Sequence, residues 1–456
     1  MPAFAPLTPL ADAAADLAHG RTSATQLTET ALARAGAGEG PSTFTRVLTE
    51  SARAQARASD LLRAAGVVRS PIEGLPISVK DLFDIAGHAT RAGSRLLENA
   101  VPAAHDARIV QRLRAAGAVI VGTTNMTEFA FSGVGINPHY GTPRGPWGRE
   151  DGGGRIPGGS SSGAAVSVAD GMALAAIGTD TGGSVRIPSA LCGLTGYKPT
   201  ARRVSTQGAL PLSTTLDSVG PLAPTVRCCA LLGSILAGEP YSEPLAAHAA
   251  HLRLLAPTNV VLAGMDATVG AGWERALARL SRAGAQVTRA PLAPLDELAA
   301  IHARGSFSAA EAWAWHRRYL PEHQGAYDPR VAERILAGQR MGAADYVDLL
   351  AARQRWIAAM RAQLADFDAF VMPTVPIVAP EIAPLVASDA AFFAANALLL
   401  RNTSLVNFLD GCAVSLPIHA AGEAPVGLSL ACPGGHDQRL IALALAVENV
   451  LRRAAP

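Results

Sequence analysis

The stretch GGSSSGAAVSVADGMALAAIGTDTGGSVRIP, residues 158–188, is the most informative segment of this chain. It holds two glycine-flanked serines, Ser160 and Ser184, which are 24 residues apart. A Gly-Gly pair lets the backbone bend where a side chain would forbid it, and lets neighbouring N–H groups converge on a small anion. A serine directly after such a pair is where an acyl-transfer enzyme would hold its nucleophile beside an oxyanion hole. The segment therefore favours nucleophilic serine chemistry.

The bulk composition bounds the protein class and its partners. A length of 456 residues allows one large α/β domain or two to three ordinary ones. Charged residues make up 17%, the net charge is +2, and the basic residues are scattered, so no nucleic-acid partner is predicted. No window approaches the uninterrupted apolar length of a membrane span, so no membrane partner is predicted either.

The cysteines and the amino-terminal segment predict a cytoplasmic protein. The five cysteines form no CxxC pair, and such an odd, sparse set fits a reducing compartment better than a disulfide framework. The first twenty residues, MPAFAPLTPLADAAADLAHG, lack a basic region followed by an apolar run, so no signal peptide is predicted.

Lysine is almost absent from the chain. Lys80 and Lys198 are the only lysines among 39 basic residues, and the rest are arginines. Codon bias accounts for the skew, but arginine cannot lose a proton near neutral pH. The two lysines are therefore candidates for a role that arginine cannot fill.

Alternating helical and strand patterns predict an α/β architecture. Residues 75–87 begin as a strand, and a long loop rich in Gly, Asn and Pro follows residue 122. Ser23-Ala24-Thr25-Gln26 and the start of the segment 308–320 both carry a capping-box signal. Helices are predicted over 8–36, 44–65, 105–117 and 308–320. Further strands are predicted over 118–122, 260–264, 367–380, 412–418 and 424–435. Residues 140–158 are predicted to form a surface loop.

A serine nucleophile needs a nearby base, and the histidines do not supply one. None of the eleven lies in the Gly-Ser segments; the nearest, His139, is in the long loop. His248 and His251 have i,i+3 spacing but no further ligands, so a solvated helix face is predicted rather than a metal site. Lys80 is the better candidate, because it ends the apolar strand ISVK. Burial would favour its neutral amine, which could accept a proton from serine.

Five segments resemble the amidase signature family: GLPISVKDLFD (74–84), the stretch 158–188, CGLTGYKPT (192–200), LDSVGPLAPTV (216–226) and VMPTVPIVAP (371–380). The resemblance extends from about residue 5 to the end. It implies an α/β amidase signature fold, with a central mixed twisted β-sheet covered by helices on both faces. We expect one domain over 1–456, in four parts. These are N-terminal helices (1–66), a catalytic core (67–230), a mostly helical region flanking the substrate pocket (231–365), and C-terminal strands with a helix that complete the core (366–456).

The resemblance also implies a Ser–cisSer–Lys triad. Ser184 would be the nucleophile, Ser160 the bridging serine after a cis peptide, and Lys80 the base. The oxyanion hole would be formed by the N–H groups of Thr181, Gly182, Gly183 and Ser184. The implied reaction is hydrolysis of amide C–N bonds through an acyl-enzyme.

Other residues of these segments receive supporting roles. Asp180 and Arg186 would form an ion pair, although Arg186 could instead meet an acidic substrate. Gly159 and Ser161 would support the site, Ser162 would hydrogen-bond within it, and Lys198 is interpreted as structural.

The substrate is predicted to be a small amide with an apolar or aromatic body. The loop 125–147 and the region 300–360 should flank the pocket. Its lining candidates are Met126, Phe129, Phe131, Gly133, Tyr140, Trp313 and Trp315. The loop sequence FAFSGVGINPHYGTP resembles that of broad-specificity bacterial amidases, some of which cleave esters, anilides and carbamates (urethanes), so a carbamate substrate is a further hypothesis. No cofactor or metal is predicted, and the protein is expected to be a monomer or homodimer.

Two other functions remain open. Residues 159–163, GSSSG, also fit the GxSxG nucleophile elbow of α/β-hydrolases, with Ser161 as nucleophile and His419 or His436 as partner. That interpretation leaves Lys80 and the second Gly-Ser cluster unexplained. The chain could also be the amidase subunit of a tRNA-dependent amidotransferase, although the segments around its motifs resemble stand-alone amidases. A non-catalytic family member is disfavoured, because all three triad positions are present.

Overall fold

The computed structural model of the chain describes residues 7–149 and 153–452. Parts of three predicted segments lie outside the described residues: 1–6 of the N-terminal segment, 150–152 of the loop 140–158, and 453–456 of the C-terminal segment. Within the described ranges the chain forms eleven strands and seventeen α-helices.

All eleven strands join one sheet. Their bounds are β1 (Phe44–Val47), β2 (Pro76–Lys80), β3 (Val119–Thr124), β4 (Ala175–Thr179), β5 (Thr195–Lys198), β6 (Val219–Ala223), β7 (Arg253–Pro257), β8 (Gln286–Ala290), β9 (Ala369–Pro373), β10 (Cys412–Pro417) and β11 (Gly427–Cys432). The strand order is β1-β3-β2-β4-β6-β5-β10-β11-β9-β7-β8. The sheet is mixed: β2 is parallel to β3 and β4, and β7 is parallel to β8 and β9, whereas the other pairs are antiparallel. The predicted α/β fold with a mixed central sheet is confirmed.

Helices flank this sheet. Their bounds are α1 (Leu10–Ala18), α2 (Ala24–Ala35), α3 (Gly40–Thr43), α4 (Thr49–Ala64), α5 (Arg108–Ala115), α6 (Ser162–Ala169), α7 (Arg186–Leu191), α8 (Val226–Ala237), α9 (Ala267–Arg282), α10 (Leu298–Ile301), α11 (Phe307–His316), α12 (Leu320–His323), α13 (Pro329–Leu336), α14 (Ala343–Gln363), α15 (Ile382–Ala387), α16 (Asp389–Phe408) and α17 (Asp437–Arg452). Every residue of β2, β3 and β4 is buried. Because successive side chains point to opposite faces of a strand, both faces of the sheet are covered there.

The largest apolar cluster joins the two ends of the described chain. It includes Leu10 and Leu17 of α1 as well as Leu440 and Val447 of α17, all of them buried. Segments more than 400 residues apart therefore contribute to the same core.

The topology determines where the segment 158–188 lies. Its first serine precedes α6, the chain then runs through β4, and its second serine sits in the turn between β4 and α7. Parallel neighbours end at the same edge of a sheet, so the ends of β2 and β4 lie side by side there. Open α/β sheets commonly bind their ligands at this carboxyl edge.

Three local predictions differ from the structure. Residues 260–264 form a bend and a turn rather than a strand, and Val260 has a left-handed φ of 57°; the strand of this region is β7. The predicted helix 308–320 is α11, and its N-cap is Ser306, which accepts a hydrogen bond from the Ala309 N–H (3.3 Å). The segment 44–65 contains β1 as well as α4. By contrast, the capping box of Ser23 and Gln26 is confirmed.

Residues 7–149 and 153–452 contain no helix with the length and apolar character that crossing a bilayer requires.

Candidate active site

Lys80 lies at the end of β2 and is completely buried. Its Nζ donates hydrogen bonds to Ser160 Oγ (2.7 Å) and to Thr179 Oγ1 (2.9 Å). Burial lowers the pKa of Lys80 to about 7, although the charges of Asp217 and Asp180 act in the opposite direction. A large fraction of this side chain is therefore an uncharged amine near neutral pH.

Ser160 is positioned by a tightly packed backbone. The Gly159–Ser160 peptide bond is cis. The Gly159 N–H donates to the Gly133 carbonyl (2.8 Å), and the Ser160 carbonyl accepts from the Thr127 N–H (3.1 Å). A Cβ on Gly159 would lie 2.7 Å from both Gly135 N and Thr127 Oγ1, which is too close for any side chain. Position 159 therefore requires glycine.

Ser184 lies in the turn between β4 and α7 and lines a cavity. Its carbonyl accepts a hydrogen bond from the Ser161 N–H (3.3 Å). Since Ser161 directly follows Ser160, this bond brings the two Gly-Ser clusters together. The fold thus places Lys80, Ser160 and Ser184 at one end of the sheet.

Asp180 organises the backbone of this turn. Its carboxylate accepts hydrogen bonds from the N–H groups of Gly183 (2.9 Å) and Val185 (3.2 Å). The Gly183 N–H was predicted to be part of the oxyanion hole, and in the structure it points to Asp180 instead. The N–H groups of Thr181, Gly182 and Ser184 have no acceptor among the described residues, so they are free to bind an anion.

Asp180 and Arg186 form a completely buried ion pair, with 2.9 Å between Arg186 Nη2 and Asp180 Oδ1. Burial is the largest single effect on Asp180 and raises its pKa, but the charge and hydrogen bond of Arg186, with Lys198 and Asn407, together outweigh burial and hold that pKa at about 2. Asn407 of α16 joins the pair, because it donates to Asp180 Oδ1 (3.0 Å) and accepts from Arg186 Nη2 (2.7 Å). Arg186 does not line the cavity, so the alternative in which it meets an acidic substrate finds no support in its position.

Helix α16 also clamps the turn from the other side. Thr403 Oγ1 donates to the Gly182 carbonyl (2.6 Å). Gly183 has a φ of 133°, and a Cβ there would lie 2.1 Å from Thr403 Oγ1. Only glycine adopts this conformation at low cost and leaves room for the threonine.

The cavity beside Ser184 has a volume of about 560 Å³. Ser184, Thr181 and Gly182 form part of its wall, and most of the rest is apolar. The other lining residues are Ala130, Phe131, Ser132, Leu212, Leu216, Val260, Leu298, Ala299, His302, Ser306, Ser308, Ala309, Arg334, Ala337, Leu400, Arg401, Ser404, Leu405 and Phe408. A pocket of this size holds a small organic molecule.

Of the predicted lining residues, only Phe131 contributes to this cavity. Phe129 packs instead among aromatic rings, 4.4 Å from His316 and 5.9 Å from Trp315 between ring centroids. Met126 is buried in the apolar core, and Gly133 packs against Leu400 and Ile187. Tyr140 points toward the Ser94 carbonyl, and Trp313 packs on the core. These residues therefore pack against several neighbours, α11 among them for Phe129, rather than lining the cavity.

The alternative nucleophile Ser161 lies outside the cavity lining. Its Oγ donates to the Thr179 carbonyl (3.4 Å). His419 and His436 do not line the cavity either, and His139 Nε2 lies 3.0 Å from Glu128 Oε1. Ser162 Oγ donates to the Asn125 carbonyl (3.4 Å). A nucleophile elbow centred on residue 161 is thus not assembled.

Lys198, the second lysine, contacts backbone rather than the cavity. Its Nζ donates to the carbonyls of Pro199 (2.9 Å) and Gly411 (2.8 Å). These bonds tie the end of β5 to the start of β10, which fits the structural interpretation.

Sequence reasoning missed several residues of the site. Thr179 precedes Asp180 within the stretch 158–188, so its place in the sequence was a usable signal. Asp217 lies in the family-like segment 216–226 and accepts a hydrogen bond from Thr181 Oγ1 (2.5 Å). Burial raises the pKa of Asp217 to about 6. Asn407 and Arg334 belong to helices without any motif.

No group of three His, Cys, Asp or Glu side chains in the described part of the chain could hold a metal ion.

Comparison with known proteins identifies the family. The Amidase family model matches residues 26–441, and the chain belongs to this amidase signature family. It is 38% identical over 405 residues to 2-amino-5-chloromuconic acid deaminase of Comamonas testosteroni, covering 88% of this chain and 86% of that protein. It is also 34% identical over 478 residues to a glutamyl-tRNA(Gln) amidotransferase subunit from Anaeromyxobacter sp. (strain K), covering 97% of this chain and 96% of that protein.

A solved structure agrees over the whole length. A crystal structure described as an amidase superposes with a TM-score of 0.86 at 34% identity, covering 97% of this chain and all of that one. The predicted family is confirmed, and the protein is a hydrolase of carbon–nitrogen bonds.

Proposed function

We propose that the protein hydrolyses linear amides through an acyl-enzyme, with Ser184 as nucleophile, Ser160 as proton relay and Lys80 as base. The observation that carries this proposal is the buried Lys80 Nζ, 2.7 Å from Ser160 Oγ. A neutral lysine beside a serine is the activating base that a serine nucleophile requires.

The proton transfers follow from this arrangement. The Lys80 amine takes the Ser160 hydroxyl proton, Ser160 takes the proton of Ser184, and Ser184 Oγ bonds to the carbonyl carbon while the carbonyl π electrons move to oxygen. The same relay in reverse protonates the leaving nitrogen as the C–N bond breaks. Water, deprotonated by the relay, then attacks the ester carbon and releases the acid and free Ser184.

Three backbone N–H groups are available for the tetrahedral oxyanion. Those of Thr181, Gly182 and Ser184 have no acceptor among the described residues, and Thr181, Gly182 and Ser184 all line the cavity. Preorganised donors of this kind stabilise developing charge strongly, because they need no reorganisation during the reaction. We therefore propose an oxyanion hole with three N–H donors, instead of the four predicted from the sequence.

Two carboxylates tune the base. Asp217 and Asp180 raise the pKa of Lys80 and so oppose the effect of burial, which leaves that pKa at about 7. A general base works best when its pKa lies near the operating pH. Thr179 Oγ1 accepts from Lys80 Nζ (2.9 Å) and orients the amine toward Ser160.

The same attack of Ser184 on a carbonyl carbon would also cleave esters, anilides and carbamates. The cavity wall is mostly apolar, as in Leu212, Leu400 and Phe408, which suits substrates with an apolar or aromatic body. We propose that the protein acts in the cytoplasm as a monomer or homodimer, and that carbamates (urethanes) are among its substrates. A screen of aryl amides, esters and carbamates tests this substrate range, and turnover of free carboxamides alone would exclude carbamates.

Active-site labelling tests the nucleophile. A serine-directed fluorophosphonate followed by peptide mapping should mark Ser184. The Ser184→Ala variant should lose both labelling and activity, whereas Ser161→Ala should keep the label at residue 184. Labelling at residue 161 would reinstate the α/β-hydrolase alternative.

A second candidate function is that of one component of an amidotransferase complex. It is favoured by the 34% identity to a glutamyl-tRNA(Gln) amidotransferase subunit over nearly the full length of both chains. Ammonia release from glutamine that appears only when a second polypeptide is added would support it. Turnover of aryl amides by the purified chain alone would support the stand-alone amidase.

A further inference from the structure

Arg334 of α13 lines the same cavity as Ser184 but has no acceptor for its guanidinium. The side chain makes no hydrogen bond or ion pair within residues 7–149 and 153–452. Its Nε is shielded from solvent and unpartnered. Its one defined contact is with Phe131, whose ring centroid lies 4.6 Å from Arg334 Cζ. A guanidinium carries five N–H donors, and those of Arg334 have no acceptor within the described residues.

Other arginines of the site each have at least one hydrogen-bond acceptor, although Arg186 Nη1 is also left without one. Arg186 pairs with Asp180, and Arg353 donates to the Phe408 carbonyl (2.9 Å). Arg401, which also lines the cavity, donates to the Val261 carbonyl (2.9 Å). Arg334 is partly buried and its Nε is shielded from water, and a shielded polar group without a partner is costly. An anion bound from outside the chain would therefore satisfy the donors of Arg334.

The cavity itself offers no such anion. Its lining includes Arg334, Arg401 and His302 but no aspartate or glutamate. Burial lowers the pKa of Arg334 to about 10, which still leaves it protonated at neutral pH. The cavity thus combines an apolar wall with an excess of positive charge.

We propose that Arg334 determines specificity by binding a carboxylate of the substrate, so that the enzyme acts on amides whose apolar body also carries a carboxylate away from the bond that is cleaved. This inference rests on the proposed amidase function of Ser184. The planar guanidinium matches a carboxylate in a two-point contact. A single unpaired arginine balances one negative charge, which favours a carboxylate over a doubly charged phosphate. The proposed substrate thus keeps the apolar or aromatic body predicted from the sequence and gains a carboxylate.

Matched substrates test the charge requirement on the full-length enzyme. One series compares mono-4-nitroanilides of dicarboxylic acids of four to eight carbons with 4-nitroanilides of the fatty acids of the same length. A second series compares N-acyl 4-aminobenzoates with N-acyl 4-toluidides, which moves the carboxylate to the leaving group. In at least one series the carboxylate compound should have a kcat/KM at least about tenfold higher.

Variants assign the preference to Arg334. In Arg334→Gln the ratio of kcat/KM for carboxylate over neutral substrate should fall about 10- to 100-fold, as expected for the loss of a charged hydrogen-bonded contact. Arg334→Lys should retain part of the ratio, since lysine keeps the positive charge but lacks the paired N–H donors of a guanidinium. The control is Arg330→Gln, one turn earlier on α13, where Arg330 donates to Asp389 (2.6 Å) and lies outside the cavity lining. The kcat/KM ratio of Arg330→Gln should match that of the wild-type enzyme. Because each variant is compared with itself on two substrates, partial unfolding does not affect the ratio.

The outcomes separate this inference from the proposed function. Equal or faster turnover of the neutral compounds in both series, or an unchanged ratio in Arg334→Gln, overturns the role of Arg334 and leaves the amidase intact. Absence of all turnover together with absence of Ser184 labelling overturns the amidase. In that case calorimetry on Ser184→Ala still tests the anion site, using the mono-4-nitroanilides as ligands. If Ser184→Ala binds these ligands and the Ser184→Ala/Arg334→Gln double variant does not, the anion site is supported. If Ser184→Ala does not bind them, the anion site is overturned.

Discussion

At the scale of single residues, the pKa of Lys80 reflects a balance between burial and two carboxylates. Burial lowers its pKa, and Asp217 and Asp180 limit the fall. Asp180 stays ionised because Arg186 holds its pKa at about 2, whereas burial raises the pKa of Asp217 to about 6. Protonation of Asp217 in mild acid would remove part of the support for a charged lysine.

The pH dependence of kcat/KM should report Lys80. Its protonated form cannot accept a proton, so kcat/KM should rise with pH, close to tenfold per unit below about pH 7, and level off above it. The measurement is kcat/KM for one amide from pH 5 to 10, with folding checked at each pH by circular dichroism. A rate that stays flat from pH 5 to 9 in folded enzyme would contradict a lysine base.

Replacing Lys80 by arginine should nearly abolish activity. Arginine keeps the positive charge but does not deprotonate in proteins, so the loss in kcat should be about 10²- to 10⁴-fold, the usual contribution of a general base. Lys198→Arg is the matched control, because Lys198 contacts only backbone carbonyls. Near-normal turnover by the Lys80→Arg enzyme would mean that position 80 needs only a charge.

The residues that the sequence could reveal are those with a distinctive neighbourhood. Ser160 and Ser184 stand beside glycine pairs, and Lys80 is one of two lysines; the structure indeed brings Lys80 to Ser160. Arg334 is one arginine among many, and no local pattern marks it. Its proposed role rests on the acceptors it lacks, which only the three-dimensional arrangement can show.

At the scale of elements, the turn between β4 and α7 is held from two directions. Asp180 fixes it from within through the N–H groups of Gly183 and Val185, and Thr403 of α16 fixes it from outside through the Gly182 carbonyl. Together these contacts leave the remaining N–H groups of the turn exposed to the cavity.

Gly183→Ala should disturb this turn. The new Cβ would lie 2.1 Å from Thr403 Oγ1 in a backbone with φ of 133°. The strained φ and the overlap should each cost about 1–3 kcal/mol in the free energy of unfolding, and kcat should fall with the displaced donors. Gly325→Ala serves as control, since a Cβ there meets nothing within 4 Å. Urea unfolding and steady-state kinetics measure both effects; a Gly183→Ala enzyme as stable and active as the control would argue against a rigid turn.

Element types were easier to predict than element boundaries. The segments Leu254–Pro257 and Val260–Gly264 are both short and apolar, and only the first forms a strand because it pairs with β8 and β9. Likewise Ser306 and Ser308 are both reasonable caps for α11, and the backbone uses Ser306. Local sequence offers both choices, and packing with distant segments selects one.

At the scale of the whole molecule, the β5–β10 pair joins the strands of the first half of the chain to those of the second half in one sheet. β10 pairs with β5, and β11 pairs with β9, so strands from residues 412–432 stand between those of the catalytic half and those near residues 253–290. Sequence alternation predicted the α/β class, but a pairing such as β5 with β10, more than 200 residues apart, leaves no local signal. We therefore propose that the chain folds as one unit, in line with the single-domain expectation.

Unfolding should accordingly be a single transition. Urea curves followed by far-UV circular dichroism and by tryptophan fluorescence should superimpose. Ile77→Ala in β2 and Leu430→Ala in β11, both buried, should each destabilise the chain by about 2–5 kcal/mol and shift both probes equally. Two separate transitions, with only one moved by each variant, would indicate independent units.

The burial of both lysines has a practical consequence for anyone who handles this enzyme. Lys80 and Lys198 are 0% and 1% exposed, and the chain has no others. Amine-directed cross-linkers, dyes and immobilisation resins would therefore find no lysine on the surface. Attachment through carboxyl or guanidinium groups avoids this limitation. Conversely, a small acylating reagent that does modify Lys80 must have reached the interior of the proposed catalytic centre, so mass-spectrometric detection of that adduct would measure how accessible this interior is.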